Sequence, residues 1–141
     1  FMKVDRDGRG IVNILAAARL MEISSRPVVV RPHPGKEVEH VAPWREHLDG
    51  AWACVVWHSS MAVKALALGV PVIRLAPWAI FAAAAGTRLE EVEDPPLGDR
   101  SLAFARIAAA QFTMDEFISG EAIARVLACA SSPAPHRLSG A

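Results

Sequence analysis

The stretch Ala53-Cys-Val-Val-Trp-His-Ser-Ser-Met-Ala-Val-Lys-Ala-Leu-Ala-Leu-Gly-Val-Pro-Val-Ile-Arg-Leu75 reads as strand, sharp turn, helix, short loop and second strand. Ala53 to Trp57 is a short apolar run rich in β-favouring residues, closed by the polar trio His58, Ser59 and Ser60. Either serine can accept a hydrogen bond from an unpaired N–H of a following first turn. Met61, Lys64, Ala65, Leu66, Ala67 and Leu68 are all good helix formers. Gly69 stops the helix, because a glycine takes the left-handed conformation without steric cost, and Pro71 follows it. Val72 to Leu75 then resumes an extended apolar run. So short a crossover between two strands predicts a parallel, right-handed βαβ unit. Its polar turn lies at the carboxyl end of the first strand, where open α/β sheets bind ligands.

Outward from that unit, composition sets the limits. The chain has 141 residues, 52% of them hydrophobic and 21% charged, with formal net charge +0. That suffices for one domain with a real core and excludes a disordered chain. Balanced charge argues against nucleic acid held mainly through its phosphates. Cys54 and Cys129 form neither a metal spacing nor a disulfide framework, so both read as buried free thiols in a reducing compartment. His40 and His47 with Glu37, Glu39 and Glu46 match no metal-site spacing, and no metal or cofactor is expected. No apolar stretch reaches the ~18 residues of a membrane span. The opening Phe1-Met-Lys-Val-Asp-Arg-Asp7 has no signal-like apolar region, and Phe1 ahead of Met2 reads as a tag remnant or a cut fragment. The expected location is cytoplasmic.

Along the chain, Phe1 to Gly10 reads as a charged loop. Ile11 to Ile23 has helical spacing, with Ile11, Ile14, Leu15, Ala18 and Met21 or Glu22 on the buried face. Val28-Val-Val30 reads as a buried strand. Arg31-Pro-His-Pro-Gly35 is then a stiff turn that fixes His33 at the carboxyl end of that strand. Trp44 and Leu48 anchor one short helix. Ala76 to Gly86 leaves the sheet as a loop or short helix, and an acidic, irregular connection follows. Asp99 or Ser101 caps a helix from Leu102 to Gln111. Thr113-Met-Asp-Glu116 fits a capping box, and Gly120 interrupts before Glu121 to Ala130. Residues 131–141 read as a flexible tail. The expected fold is a three-layer, Rossmann-like α/β domain over residues 1–130. Its mainly parallel sheet contains Val28–Val30, Ala53–Trp57 and Val72–Leu75.

Two polar turns therefore fall at one edge of one sheet: His33-Pro34 after the first strand and His58-Ser59-Ser60 after the second. The Ser59 and Ser60 hydroxyls, with N–H groups at the start of the following helix, suit a nucleotide phosphate. His33 can donate to a phosphate or to a departing phosphate oxygen, and Arg31 adds charge beside it. Alone, a serine pair ahead of a helix is a cap and a His-Pro pair is a turn; their joint placement points to a ligand. His58 faces either the sheet interior or the crevice. Lys64 reads as solvated, Trp52, Trp57 and Trp78 as core or interface. Glu90, Glu91, Glu93 and Asp94 read as a solvated acidic run. The glycine signatures of dinucleotide, ATP and nucleophile-elbow sites are absent.

Val28-Val-Val-Arg-Pro-His-Pro-Gly35, Ala53-Cys-Val-Val-Trp-His-Ser-Ser60 and Lys64-Ala-Leu-Ala-Leu-Gly-Val-Pro-Val72 together resemble the carboxy-terminal half of a GT-B glycosyltransferase. The likeness is to the capsule-polysaccharide, Kdo-transferase-like and phage-encoded branches. Bacterial sialyltransferases of that fold carry an HP motif and a Ser-Ser/Thr motif that bind the CMP part of a CMP-sugar. Those motifs match His33-Pro34 and Ser59-Ser60. Ala110-Gln-Phe-Thr-Met-Asp-Glu-Phe-Ile-Ser-Gly120 is similar to the Gln-aromatic-Thr…Glu…Gly ending of the capsule and phage branch. The similarity spans residues 26–127. It implies a nucleotide-sugar-binding domain, CMP-sugar favoured, with His33 catalytic and Arg31, Pro34, His58, Ser59 and Ser60 binding the donor.

In two respects the chain departs from that pattern. Lys64 stands where many such transferases have the Glu that holds the donor ribose. The acidic general base of the CMP-sugar enzymes belongs to the other half of the fold. A homo-oligomer or a partner domain is therefore expected. The competing readings are a non-catalytic interaction module retaining the half-fold and an isomerase or epimerase of GT-B-like fold.

Overall fold

The computed structural model describes residues 9–31 and 43–131. His33, Pro34 and the tail beyond Ser131 lie outside them, as does any strand at the head of the chain. By its contacts the chain divides into two compact units, with the boundary in sequence between Ala108 and Ala109.

The first unit is mixed α/β. Helix α1 (Arg9–Ile23) and the short α2 (Trp44–Leu48) precede strand β1 (Cys54–Val56). Helix α3 (Met61–Ala67) connects it to β2 (Val72–Arg74), and a 3-10 turn at Ala82–Ala84 leads into the two-residue β3 (Ala85–Gly86). A second 3-10 segment, Leu89–Glu93, and helix α4 (Arg100–Ala109) complete the unit. The sheet has the order β1-β2-β3 and both pairings are parallel. Cys54 stands opposite Val72 and Val56 opposite Arg74, the parallel βαβ unit expected from the sequence. Gly69, at φ +82, follows α3 and Val70 N–H turns back to the Ala65 carbonyl.

Period-two alternation splits the core between the sheet's two faces. On one, Cys54, Val56 and Val72 pack with Met61, Ala62, Ala65 and Leu66 of α3, Ala103 of α4 and Phe81. On the other, Val55 and Ile73 pack with Leu20 of α1 and Val92. Ile73, Val72, Ala62 and Ala65 are wholly buried, so both faces of this small sheet are covered.

Three expectations need correction. Val28–Val30 forms no strand: only Val28 packs inward, beside Leu20, Leu75 and Leu89, while Val29 and Val30 are exposed. The third strand is instead Ala85–Gly86, in the segment expected to leave the sheet. Helix α1 also buries a different face, Ala16, Ala17 and Leu20, with Leu15 and Met21 in solvent. Apolar residues surround that helix, so periodicity alone does not single out a face. Small alanines win because they let the helix backbone approach Val28, Leu75 and Leu89 closely.

The second unit contains α5 (Met114–Ser119) and α6 (Glu121–Ser131). The expected capping box is present: Thr113 Oγ1 accepts from Glu116 N–H at 3.2 Å while the Glu116 carboxylate accepts from Thr113 N–H at 2.6 Å. Gly120, at φ +82, ends α5. Arg125 of α6 pairs with Glu116 at 3.0 Å and lies over the Phe112 ring. Ala122 is buried, whereas Phe117, Ile118, Ile123, Val126 and Leu127 are all more than half exposed.

Candidate functional site

Hydrogen bonding continues past the formal strand ends. Leu75 N–H donates to the Val56 carbonyl at 2.8 Å and Ala76 N–H to the Trp57 carbonyl at 3.1 Å. The two chains therefore leave the sheet side by side at its carboxyl edge, one into His58-Ser59-Ser60 and the other into Pro77-Trp78. Their side chains meet there: the His58 and Trp78 rings stack with centroids 5.2 Å apart and planes 20° from parallel. Both rings are exposed, and Trp78 keeps 67% of its surface accessible. His58 thus lies outside the sheet interior, resolving the two orientations open to it in the sequence.

The serines divide their roles. Ser59 is half-buried and its Oγ accepts from Met61 N–H at 3.2 Å, acting as the cap. Ser60 is exposed and its side chain makes no capping bond. Ala62 and Val63 N–H donate to the Ser59 and Ser60 carbonyls. The first-turn N–H groups expected to face a phosphate are thereby engaged locally. What the turn exposes is the Ser60 hydroxyl and the His58 ring.

Arg31 is half-buried elsewhere, on a cavity of about 480 Å³ also lined by Arg26, His47, Trp52, Val55 and Val92, but not by residues 58–60. Along its rim Arg26 lies 3.7 Å above the Trp52 ring and pairs with Glu93 at 3.4 Å, while Trp52 Nε1 donates to the Val92 carbonyl. Of the sequence-derived candidates the structure brings His58, Ser59 and Ser60 together and puts Arg31 on a separate feature. Lys64, expected in solvent, sits half-buried with Nζ 4.7 Å from the Trp44 ring centroid, so its charge is turned onto an aromatic face.

The acidic run is largely exposed, as expected, and it also makes specific contacts. Glu93 accepts from Ser24 Oγ as well as pairing with Arg26, and Glu91 accepts from the N–H groups of Thr87 and Arg88. These carboxylates clasp the segment after β3 to itself and to the end of α1. Burial pushes the Cys54 thiol up, as expected of an inert core cysteine, but Cys129 is exposed, contrary to expectation. No three His, Cys, Asp or Glu side chains gather into a metal site among the described residues, and no helix there is long and apolar enough to cross a membrane.

Trp78, read from the sequence as core or interface, is instead exposed, three residues after Leu75 at the edge that carries the serines. Comparison with family models, curated proteins and solved structures gives no match to this chain.

Proposed function

We propose that the chain is the nucleotide-sugar-binding half of a GT-B-type glycosyltransferase, with a CMP-sugar as the favoured donor. One observation carries the reading: a parallel β1–α3–β2 unit presents the exposed turn His58-Ser59-Ser60 at the carboxyl edge of its sheet. In this reading Ser60, assisted by the Ser59 O–H, donates to the donor phosphate. His33 and Pro34 enter through the motif resemblance alone, His33 as the group that meets the departing phosphate oxygen; Arg31, on the separate cavity, has no part in it. The acidic base and the acceptor site come from a second α/β half or subunit, so this chain binds a donor better than it transfers one.

Titration calorimetry with CMP and UMP tests the assignment. Loss of one charge-assisted hydrogen bond to phosphate removes about 1.5–3 kcal/mol, roughly ten- to a hundred-fold in affinity. Ser60→Ala and His33→Ala are each expected to weaken CMP binding by that order and leave the fold intact. Absence of nucleotide binding at millimolar ligand would refute the reading. It would favour the interaction-module alternative, which draws support from the exposed apolar side chains of α5 and α6.

A further inference from the structure

We infer that Trp78, backed by His58, is a stacking platform for the nucleobase of the ligand held at the Ser59–Ser60 turn. The inference rests on the nucleotide reading above and names the group that would recognise the base. A large aromatic ring is normally buried in the core, and here Trp78 exposes 67% of its surface directly at the carboxyl edge of a parallel sheet. Its orientation is nevertheless restrained by a neighbour. The His58 ring lies almost parallel against it at 5.2 Å, and backbone pairing of Ala76 with Trp57 holds the two departing chains together. One face of the indole is thus taken by His58, and the extent of its exposure leaves the other to solvent.

A ring held this way loses little rotamer freedom on binding, so stacking of a planar heterocycle is not offset by a large ordering cost. Stacking on an aromatic face tolerates any base, and on this account base identity is not read by Trp78 itself. The same sheet edge supplies a hydroxyl for phosphate from one departing chain and a flat apolar surface for the base from the other, the two chemistries a nucleoside monophosphate combines.

The test titrates CMP and ribose 5-phosphate into the wild-type chain, Trp78→Ala and Trp78→Phe. Ribose 5-phosphate keeps the sugar and phosphate but has no base. Wild type is expected to bind CMP more tightly than ribose 5-phosphate. Trp78→Ala should lose about tenfold or more in CMP affinity and leave ribose 5-phosphate unchanged. Trp78→Phe should recover most of the loss, since it restores a ring on a side chain whose exposure makes misfolding an unsuitable explanation. If CMP binds wild type and Trp78→Ala equally, or if both ligands weaken together, the platform is refuted while the nucleotide reading stands. If wild type binds neither ligand, the nucleotide reading falls and the platform with it.

Discussion

At Gly98 the backbone takes φ +51, and a Cβ built there would lie 2.6 Å from Ala84 Cα and 2.8 Å from the Ala83 carbonyl oxygen. Asp99 N–H donates to that same carbonyl at 2.9 Å, so the chain is pressed against the 3-10 turn that delivers β3. Gly50 has a similar φ of +66 with nothing within 4 Å. Both Gly→Ala variants pay the left-handed penalty of about 1–2 kcal/mol, and only Gly98→Ala adds overpacking of about 1–3 kcal/mol. Gly98→Ala is therefore expected to lower Tm by about 10 °C or more, and Gly50→Ala by distinctly less. Equal losses would show that the close approach carries no energy. The cysteines give a second check at this scale. At mildly alkaline pH a thiol-specific reagent should modify exposed Cys129 rapidly and Cys54 only on unfolding, because burial both shields that thiol and raises its pKa. Two fast-reacting thiols in the native protein would contradict the core position of Cys54.

Among the elements, α5 has the most explicit start. Hydrogen bonds from Thr113, first its N–H and then its hydroxyl, hold the Glu116 carboxyl below its ordinary value, and nearby Arg125 adds to the effect. A depressed carboxylate pKa means the folded helix binds its proton less readily than the unfolded chain. The resulting stability is fully present above the ordinary glutamate pKa of 4.5 and is lost as pH falls through the lowered one. Circular dichroism of the full chain should therefore show helix content declining in acid below that value, with Glu116→Gln flattening the decline. A profile unchanged by Glu116→Gln would remove the cap from the account of α5. Helix α4 starts in a related way, with Asp99 Oδ1 accepting from Leu102 N–H at 2.8 Å. Asp99→Ala should cost about 1 kcal/mol in denaturant unfolding.

For the molecule as a whole, burial is concentrated in the first unit. Cys54, Val56, Leu66, Val72 and Ile73 are 2% exposed or less, whereas the described part of the second unit fully buries only Ala122. Amides open with free energies that follow such local burial. In hydrogen exchange the slowest amides are expected to be those of β1, β2 and their extensions, including Cys54, Leu75 and Ala76. Those of α5 and α6 should exchange orders of magnitude faster. Uniform protection across both units would mean that the chain opens as one cooperative body.

What the sequence determined by itself was local. The β1–α3–β2 order follows from two apolar runs of β-favouring residues, good helix formers between them, and Gly69 with Pro71 to end the helix. The boundary between α5 and α6 follows from Thr113, Glu116 and Gly120, whose hydrogen-bonding and φ preferences act within a few residues. Ser59 as a cap was legible for the same reason. Tertiary structure alone decided the rest. A strand requires a partner ladder, so the apolarity of Val28–Val30 made no strand, and Ala85–Gly86, weak in propensity, became one by meeting Val72 and Ile73. The face α1 buries was set by which neighbours could approach its alanines, and the carboxylates of residues 91 and 93 by the donors brought to them. The pairing of His58 with Trp78, 20 positions apart, exists only because parallel strands discharge both chains at one edge, a non-local geometry that no window of sequence contains.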